Sequence, residues 1–236
     1  MVINLISSPR NISTALMYSF ANRADTKVMD EPFYAYYLNL TGADHPGKAE
    51  IIASQPTSVE GVIKWISEME SKHEIVFIKN MAHHLIQMDT GFLSNYKNAF
   101  LIRHPKQLIS SFSKVIETPK MSDIGIERQQ ELFTILGGKS PVLDSNEVLK
   151  NPSRVLSHFC ASLSIPFDLD MLAWPAGPIK EDGIWAKYWY DNVHASSGFS
   201  KKTTKETSFP DHCQELYKQS LPYFEQMFAK AIKATN

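Results

Sequence analysis

Residues 5–16, Leu5-Ile6-Ser7-Ser8-Pro9-Arg10-Asn11-Ile12-Ser13-Thr14-Ala15-Leu16, constrain this chain more than any other stretch. An apolar run (Val2, Ile3, Leu5, Ile6) stops at a Ser-Ser-Pro turn, and helical spacing begins at Ser13. The pattern is strand, tight loop, helix. The first N–H groups of a helix lack intrahelical partners, and that end carries roughly half a positive charge, so such a loop is a ready anion cradle. Arg10 adds a fixed cation, and Ser13 and Thr14 add hydroxyl donors. The segment reads as a phosphate or sulfate site; the competing reading is a plain N-cap, the commoner use of Ser and Thr at a helix start. It is not a Walker loop, because no G-x-x-x-x-G-K-[ST] occurs: Gly137-Gly138-Lys139-Ser140 has Phe133 where the first glycine belongs.

The 236 residues are 43% hydrophobic and 21% charged, which suits a single α/β domain with a sizeable core. A net charge of −1 gives no general attraction to nucleic acid or to an anionic membrane, so an anion site has to be built locally. The two cysteines, Cys160 and Cys213, form no spacing motif, and Cys160 sits in an apolar helical pattern as a buried thiol. No signal peptide and no run of about 18 apolar residues is present, so a cytoplasmic location is expected.

Further strands are predicted at Thr26–Met29, Ile75–Ile78, Ala99–Ile102 and Pro141–Leu143. Helices are predicted over Ser13–Arg23, behind a Thr57-Ser58-Val59-Glu60 capping box, from Pro105 as N1 with Leu108, Ile109 and Phe112 inward, over Ile126–Leu136, from Asn151-Pro152 to Leu163, and over Cys213–Ile232. Residues 35–56 read as a mobile excursion, and 167–211 as an irregular cap or lid within one domain spanning 1–236. Alternation of strands and helices predicts an α/β fold: a parallel sheet in a three-layer arrangement, helices on both faces, with a loop-rich C-terminal cap. Ligands of such sheets bind at the carboxyl ends of the strands, and Arg10, Glu31, Lys79 and Arg103 all sit at such ends.

Arg103-His104-Pro105-Lys106-Gln107-Leu108-Ile109-Ser110-Ser111 is the second informative segment: a guanidinium fork and a helix hydroxyl eight residues apart suit a second phosphate. With Pro9-Arg10-Asn11-Ile12-Ser13-Thr14 near the start, Arg103, Pro105 and Ser111 in R-x-P-x-x-x-x-x-S spacing, and the segment Val142–Pro152 followed by Val155–Leu163, the chain resembles the P-loop-like sulfotransferases, which use 3′-phosphoadenosine-5′-phosphosulfate. Glu31-Pro32-Phe33-Tyr34 further resembles the bacterial and plant members acting on small molecules or carbohydrates. The chain departs from the family pattern at Ile12, which stands where glycine is usual, and at Arg10, which stands where many members have lysine.

The resemblance implies a P-loop-like fold and metal-free transfer of a sulfuryl group to a hydroxyl or amine of a small molecule. Arg10, Asn11, Ile12, Ser13 and Thr14 would hold the 5′-phosphosulfate, Arg103 and Ser111 the 3′-phosphate, and Gly198 with Lys201 a late cationic loop. Glu31, kept extended by Pro32, is the first candidate for general base. His83 and His84 are the alternatives. As sequence neighbours they are expected to point apart, and they fall two and three residues past Met81, the slot the animal cytosolic members give to a histidine. Lys79 would stabilise charge on the bridging oxygen. Ile184-Trp185-Ala186-Lys187-Tyr188-Trp189-Tyr190 fits either core or a lid. Residues 31–56 and 167–200 are expected to line the acceptor's pocket. A small-molecule kinase-like enzyme and a non-catalytic nucleotide-binding protein are the competing classes. The missing Walker lysine counts against the first.

Overall fold

The computed structural model describes residues 1–114, 116–200 and 209–235. Its sheet has five parallel strands, β1 Val2–Ser7, β2 Thr26–Asp30, β3 Ile75–Met81, β4 Lys97–Ile102 and β5 Val142–Asp144, in the order β2-β3-β1-β4-β5. In chain order the helices are α1 Ser13–Ala21, α2 Tyr34–Thr41, α3 Lys48–Ser54, α4 Val59–Glu70, α5 Pro105–Phe112, α6 Met121–Ile124, α7 Ile126–Ile135, α8 Ser145–Lys150, α9 Pro152–Leu163, α10 Ala186–Trp189, α11 Asp191–His194 and α12 Gln214–Phe228.

Side chains alternate across a strand, so each strand feeds two cores. Ile3, Leu5, Phe77, Ala99 and Leu101 join a core with residues of α1 and α9. Ile6, Val76, Ile78, Phe100 and Ile102 join the opposite core with residues of α4, α5, α7 and α12. The sheet is therefore the middle of three layers. Phe20 stacks on Phe77 with ring centroids 4.0 Å apart, and burying a side chain of this size stabilises by about 1.5–3 kcal/mol.

The topology places the site. From central β1 the chain crosses to one side, toward β2; from β4 it crosses to the other, toward β5. The carboxyl ends of β1 and β4, which pair as Ser7 with Leu101, thus form the switch-point crevice where open parallel sheets bind ligands.

Several local expectations are corrected. Residues 35–56 are not an excursion: α2 and α3 occupy most of them. Gly42 ends α2 in the left-handed region (φ 68°), and Gly47 (φ 75°) opens α3. Helix α1 stops at Ala21, and Arg23 turns into the interior, pairing with Asp25 at 2.6 Å and donating to the Pro166 carbonyl at 2.8 Å. The N-cap of α4 is Ser58, which accepts from Gly61 N–H at 3.1 Å, so the box expected at Thr57 is one residue out of register. Strand β5 lies one residue later than predicted, and the turn after it is helix α8, capped by the Asp144 carboxylate. The last helix begins at Gln214 and ends at Phe228; beyond it Ala231 bridges to Val142.

Candidate functional site

The anion-facing half is built from the loop after β1 and the segment after β4. Arg10 has φ 56°, a left-handed conformation that costs a residue with a side chain of order 1–3 kcal/mol and concentrates at functional positions. This turn presents the Arg10 carbonyl to Nη1 of Arg103, which donates to it. Arg10 Nε in turn donates to Ser111 Oγ at 3.3 Å. Ile12 has φ −95° and packs on the α1 core, so no glycine is needed there; the left-handed residue of this loop is Arg10. Asn11 ties the loop down, accepting from Ser13 N–H at 2.9 Å and donating to the Leu101 carbonyl at 3.4 Å. Helix α1 has no side-chain cap and no acidic residue in its first turn.

Neither Arg10 nor Arg103 makes a salt bridge among the described residues. Burial holds both guanidiniums below their ordinary pKa, and the charge of Arg10 adds to the effect on Arg103. Asp144 acts the other way on Arg103, yet neither cation has an ion-pair partner among the described residues; with a helix start where Asn11 takes only the Ser13 N–H, they form a site that an anion completes.

Gln129 on α7 supports this wall from beneath. It is fully buried, accepts from Ser8 Oγ at 2.9 Å, and donates to the carbonyls of Ile6 (2.9 Å) and Leu101 (2.7 Å). One side-chain amide therefore satisfies the ends of both β1 and β4 at the crevice.

The second half centres on Lys79, whose side chain is wholly buried near the end of β3. Its ammonium lies 2.7 Å from Asp30 Oδ1, 2.8 Å from Glu31 Oε1 and 3.3 Å from Thr14 Oγ1, and it donates to the Tyr190 hydroxyl. The two carboxylates keep Lys79 charged despite its burial. Contrary to the expectation that Pro32 keeps it extended, Glu31 has φ 41°, in the left-handed region immediately after β2, and its N–H donates to the Lys79 carbonyl at 2.8 Å. Burial raises the Glu31 carboxyl to about 7, with Asp30 acting in the same direction and Lys79 against it.

His83 and His84 lie on a 3-10 turn after β3. Contrary to the sequence expectation, their rings do not point apart: they meet edge to face at 4.4 Å. His84 is stacked between Tyr34 (4.6 Å) and Tyr37 (4.8 Å), and its Nδ1 stands 3.7 Å from Glu31 Oε2, beyond hydrogen-bond range. Burial lowers the His83 imidazole to about 3 and His84 well below its usual value. At neutral pH both are uncharged, and both are weaker bases than Glu31. Met81 ends β3, its sulfur 3.6 Å from Ser7 Oγ.

Both halves line one cavity of about 1560 Å³. Its wall includes Arg10, Asn11, Ile12, Ser13, Thr14, Arg103 and Ser111 on one side, Glu31, Lys79, His83 and His84 on the other, and Gly198 at the cap. Gly198 is packed against backbone: a Cβ there would come within 2.9 Å of the Leu172 carbonyl oxygen. Lys201 lies outside the described residues. Asp30, Gln129, Trp185 and Tyr190 also build the site. The aromatic cluster at 184–190 marked the last two without fixing their place; Asp30 and Gln129 carry no sequence signal beyond adjacency to Glu31 and a position in a predicted helix. Among the described residues no group of His, Cys, Asp or Glu is arranged to hold a metal ion.

Comparisons with known proteins bear on the family and the fold. Branched-chain-amino-acid aminotransferase-like proteins 1 and 2 of Arabidopsis thaliana are each 37% identical over 227 residues, 94% of this chain but 41% and 40% of theirs, so the chain spans about two-fifths of the length of these curated relatives. Two solved structures share the fold. The sulfotransferase domain from the curacin biosynthetic pathway has a TM-score of 0.53 at 15% identity, covering 92% of this chain and 96% of that one. The sulfotransferase from Alicyclobacillus acidocaldarius has a TM-score of 0.55 at 11% identity, covering 96% and 94%. The family model described as "Sulfotransferase domain" matches residues 1–231, and the chain, with its parallel sheet and paired-arginine crevice, belongs to that family of transferases.

Proposed function

We propose that this chain transfers the sulfuryl group of 3′-phosphoadenosine-5′-phosphosulfate to a hydroxyl or amine of a small molecule by in-line displacement. The observation that carries this reading is the joining of two guanidiniums, neither with an ion-pair partner among the described residues, and the first turn of α1, in one cavity, to a buried lysine–glutamate pair. A cavity of about 1560 Å³ is roomy enough for a nucleotide and a small acceptor together.

In this reading the N–H groups of residues 10–14 and Arg10 hold the 5′-phosphosulfate, with Ser13 and Thr14 as hydroxyl donors. Arg103 and Ser111 hold the 3′-phosphate, to which Gly198 and Lys201 of the late loop offer N–H groups and a cation. Sulfuryl transfer resembles phosphoryl transfer in its loose transition state, so positioning and charge stabilisation provide most of the rate. The acceptor oxygen or nitrogen forms a bond to sulfur while the bond from sulfur to the phosphate oxygen breaks. Lys79 stabilises the negative charge developing on that departing oxygen. The acceptor's proton passes to the Glu31 carboxylate, whose raised pKa suits a base near neutral pH. The cations this scheme needs all come from side chains, so it requires no metal. The neutral aromatic and imidazole wall of Tyr34, Tyr37, His83 and His84 faces the acceptor and favours an uncharged molecule over an anionic one.

No helix among the described residues is long and apolar enough to cross a membrane. The free, buried thiols of Cys160 and Cys213 suit a reducing compartment such as the cytoplasm.

Incubation with ³⁵S-labelled donor and a panel of hydroxylated and amino compounds tests the assignment. Label on an acceptor, with an equal amount of adenosine 3′,5′-bisphosphate released, supports it. Transfer of ³²P from γ-labelled ATP with the sulfur donor inert favours the kinase class. Tight nucleotide binding without turnover on any compound favours the binding protein.

A further inference from the structure

We infer that Tyr190, 111 residues beyond Lys79 in sequence and on the C-terminal cap, is a positioning residue that fixes the direction of the Lys79 ammonium. The inference builds on the sulfuryl-transfer reading and names a residue that reading does not use.

A phenol has one hydrogen to donate and two lone pairs to accept with. The Tyr190 hydroxyl, buried, uses all three: it donates to the Asp30 carboxylate (3.0 and 2.8 Å to its two oxygens), accepts from Trp185 Nε1 at 3.2 Å, and accepts from Lys79. No rotation of the hydroxyl keeps this set, so its orientation is fixed. An ammonium has three hydrogens, and Lys79 has four acceptors in reach. Three are close. The fourth, Thr14 Oγ1 in the first turn of α1, just after the opening loop, is the longest at 3.3 Å. Tyr190 therefore takes the hydrogen that the carboxylates leave, and the loop side is where the ammonium is least committed. That side is where the sulfuryl donor is expected. Without the hydroxyl, one hydrogen of a wholly buried ammonium has only the long contact to Thr14.

The same carboxylate also anchors the cap. Asp30 Oδ2 accepts from Gly183 N–H at 3.0 Å as well as from Tyr190. Asp30 thus holds both ends of the 183–190 segment and the lysine at once, so cap position and lysine direction are set together. The Tyr190 ring itself lies against the ammonium, with 4.7 Å from Nζ to the ring centroid, and a phenylalanine would keep that contact while removing the hydroxyl alone.

The test is Tyr190→Phe, with Trp185→Phe as a second variant that removes one anchor of the hydroxyl but leaves the phenol. The first readout is the ¹⁵N resonance of the Lys79 ammonium in the full chain, assigned by its loss in Lys79→Met. A fixed, buried ammonium exchanges its hydrogens slowly with water. In Tyr190→Phe this exchange should quicken by about tenfold or more, and in Trp185→Phe by less. The second readout is kinetic: kcat for release of adenosine 3′,5′-bisphosphate from the sulfate donor should fall by about 10–100-fold, with KM for the donor within about threefold, as expected for a misaimed group rather than a lost binding contact. Exchange within twofold of wild type in both variants, or no slow Lys79 signal in the wild type, overturns the inference. Failure of the wild type to bind adenosine 3′,5′-bisphosphate overturns the sulfuryl-transfer reading instead, and the ammonium measurement still decides the role of Tyr190.

Discussion

Arg103 donates through Nη1 to the main-chain carbonyl of Arg10, joining the loop after β1 to the segment after β4 as one wall. Arg10 Nε in turn donates to Ser111 Oγ on α5 at 3.3 Å, a second tie between the two segments. Removing the fork removes a charge-assisted contact to a bound anion, a loss of about 1.5–3 kcal/mol, or about 10–100-fold in affinity. Arg103→Ala is expected to weaken adenosine 3′,5′-bisphosphate binding by that factor in calorimetric titration. Arg103→Lys should fall between the two, because a lysine keeps the charge and loses the bidentate fork.

The pH dependence follows from Glu31. Its carboxyl is raised from 4.5 to about 7 by burial. A base works only when deprotonated, so kcat/KM should rise tenfold per pH unit below about 7 and level off above it. Glu31→Gln should lower kcat by about 10²–10⁴-fold and flatten that limb. A profile whose limb lies near 4, or a Gln variant with turnover intact, removes Glu31 from this role.

Gln129 links folding to the site, since its amide satisfies Ile6 and Leu101 carbonyls at the crevice and accepts from Ser8. Gln129→Leu takes this partner from the Ser8 hydroxyl and the Ile6 carbonyl, and leaves the Leu101 carbonyl with the longer contact from Asn11. Each such loss costs about 1–3 kcal/mol before relaxation, so a net destabilisation of about 2–4 kcal/mol is expected in urea unfolding. Nucleotide affinity should fall with it, although Gln129 is not among the residues lining the cavity.

Arg10 separates stability from binding. Its φ of 56° is one a glycine adopts without penalty. Arg10→Gly relieves backbone strain of about 1–3 kcal/mol, offset by the greater entropy of glycine in the unfolded chain, so stability should stay within about 1 kcal/mol of wild type. Nucleotide affinity should still drop by about tenfold or more, because a guanidinium is gone. Denaturation and titration on the same sample check both halves.

The strand–loop–helix at the start and the Arg103–Ser111 segment were legible because both are local. Apolar period, turn residues and Pro105 at a helix start lie within a dozen positions of one another, and the resemblance to the sulfotransferases rested on the same segments. What was hidden depended on topology or on burial from two sides. Tyr34, Ala35 and Leu38 face one core while Phe33 and Tyr36 face the other, so α2 shows no one-sided stripe, and Gly42 and Gly47 around it read as loop. Asp30 and Tyr190 are 160 residues apart, and only the order of the sheet and the path of the cap bring them together. The contact of His83 with His84 accompanies the stacking of His84 on Tyr34 and Tyr37 of α2, which two adjacent histidines do not announce.

The most direct check of the two-anion crevice is a thermal-shift series with adenosine 3′,5′-bisphosphate, ATP, ADP and NAD on the wild type and on Arg103→Ala. A ligand bound only to the folded state stabilises it by about 2.7 kcal/mol at a hundredfold excess over its dissociation constant. A clear rise in Tm is predicted for adenosine 3′,5′-bisphosphate alone, and its loss in the variant. An equal rise with ATP, or a rise that survives Arg103→Ala, would contradict the assignment.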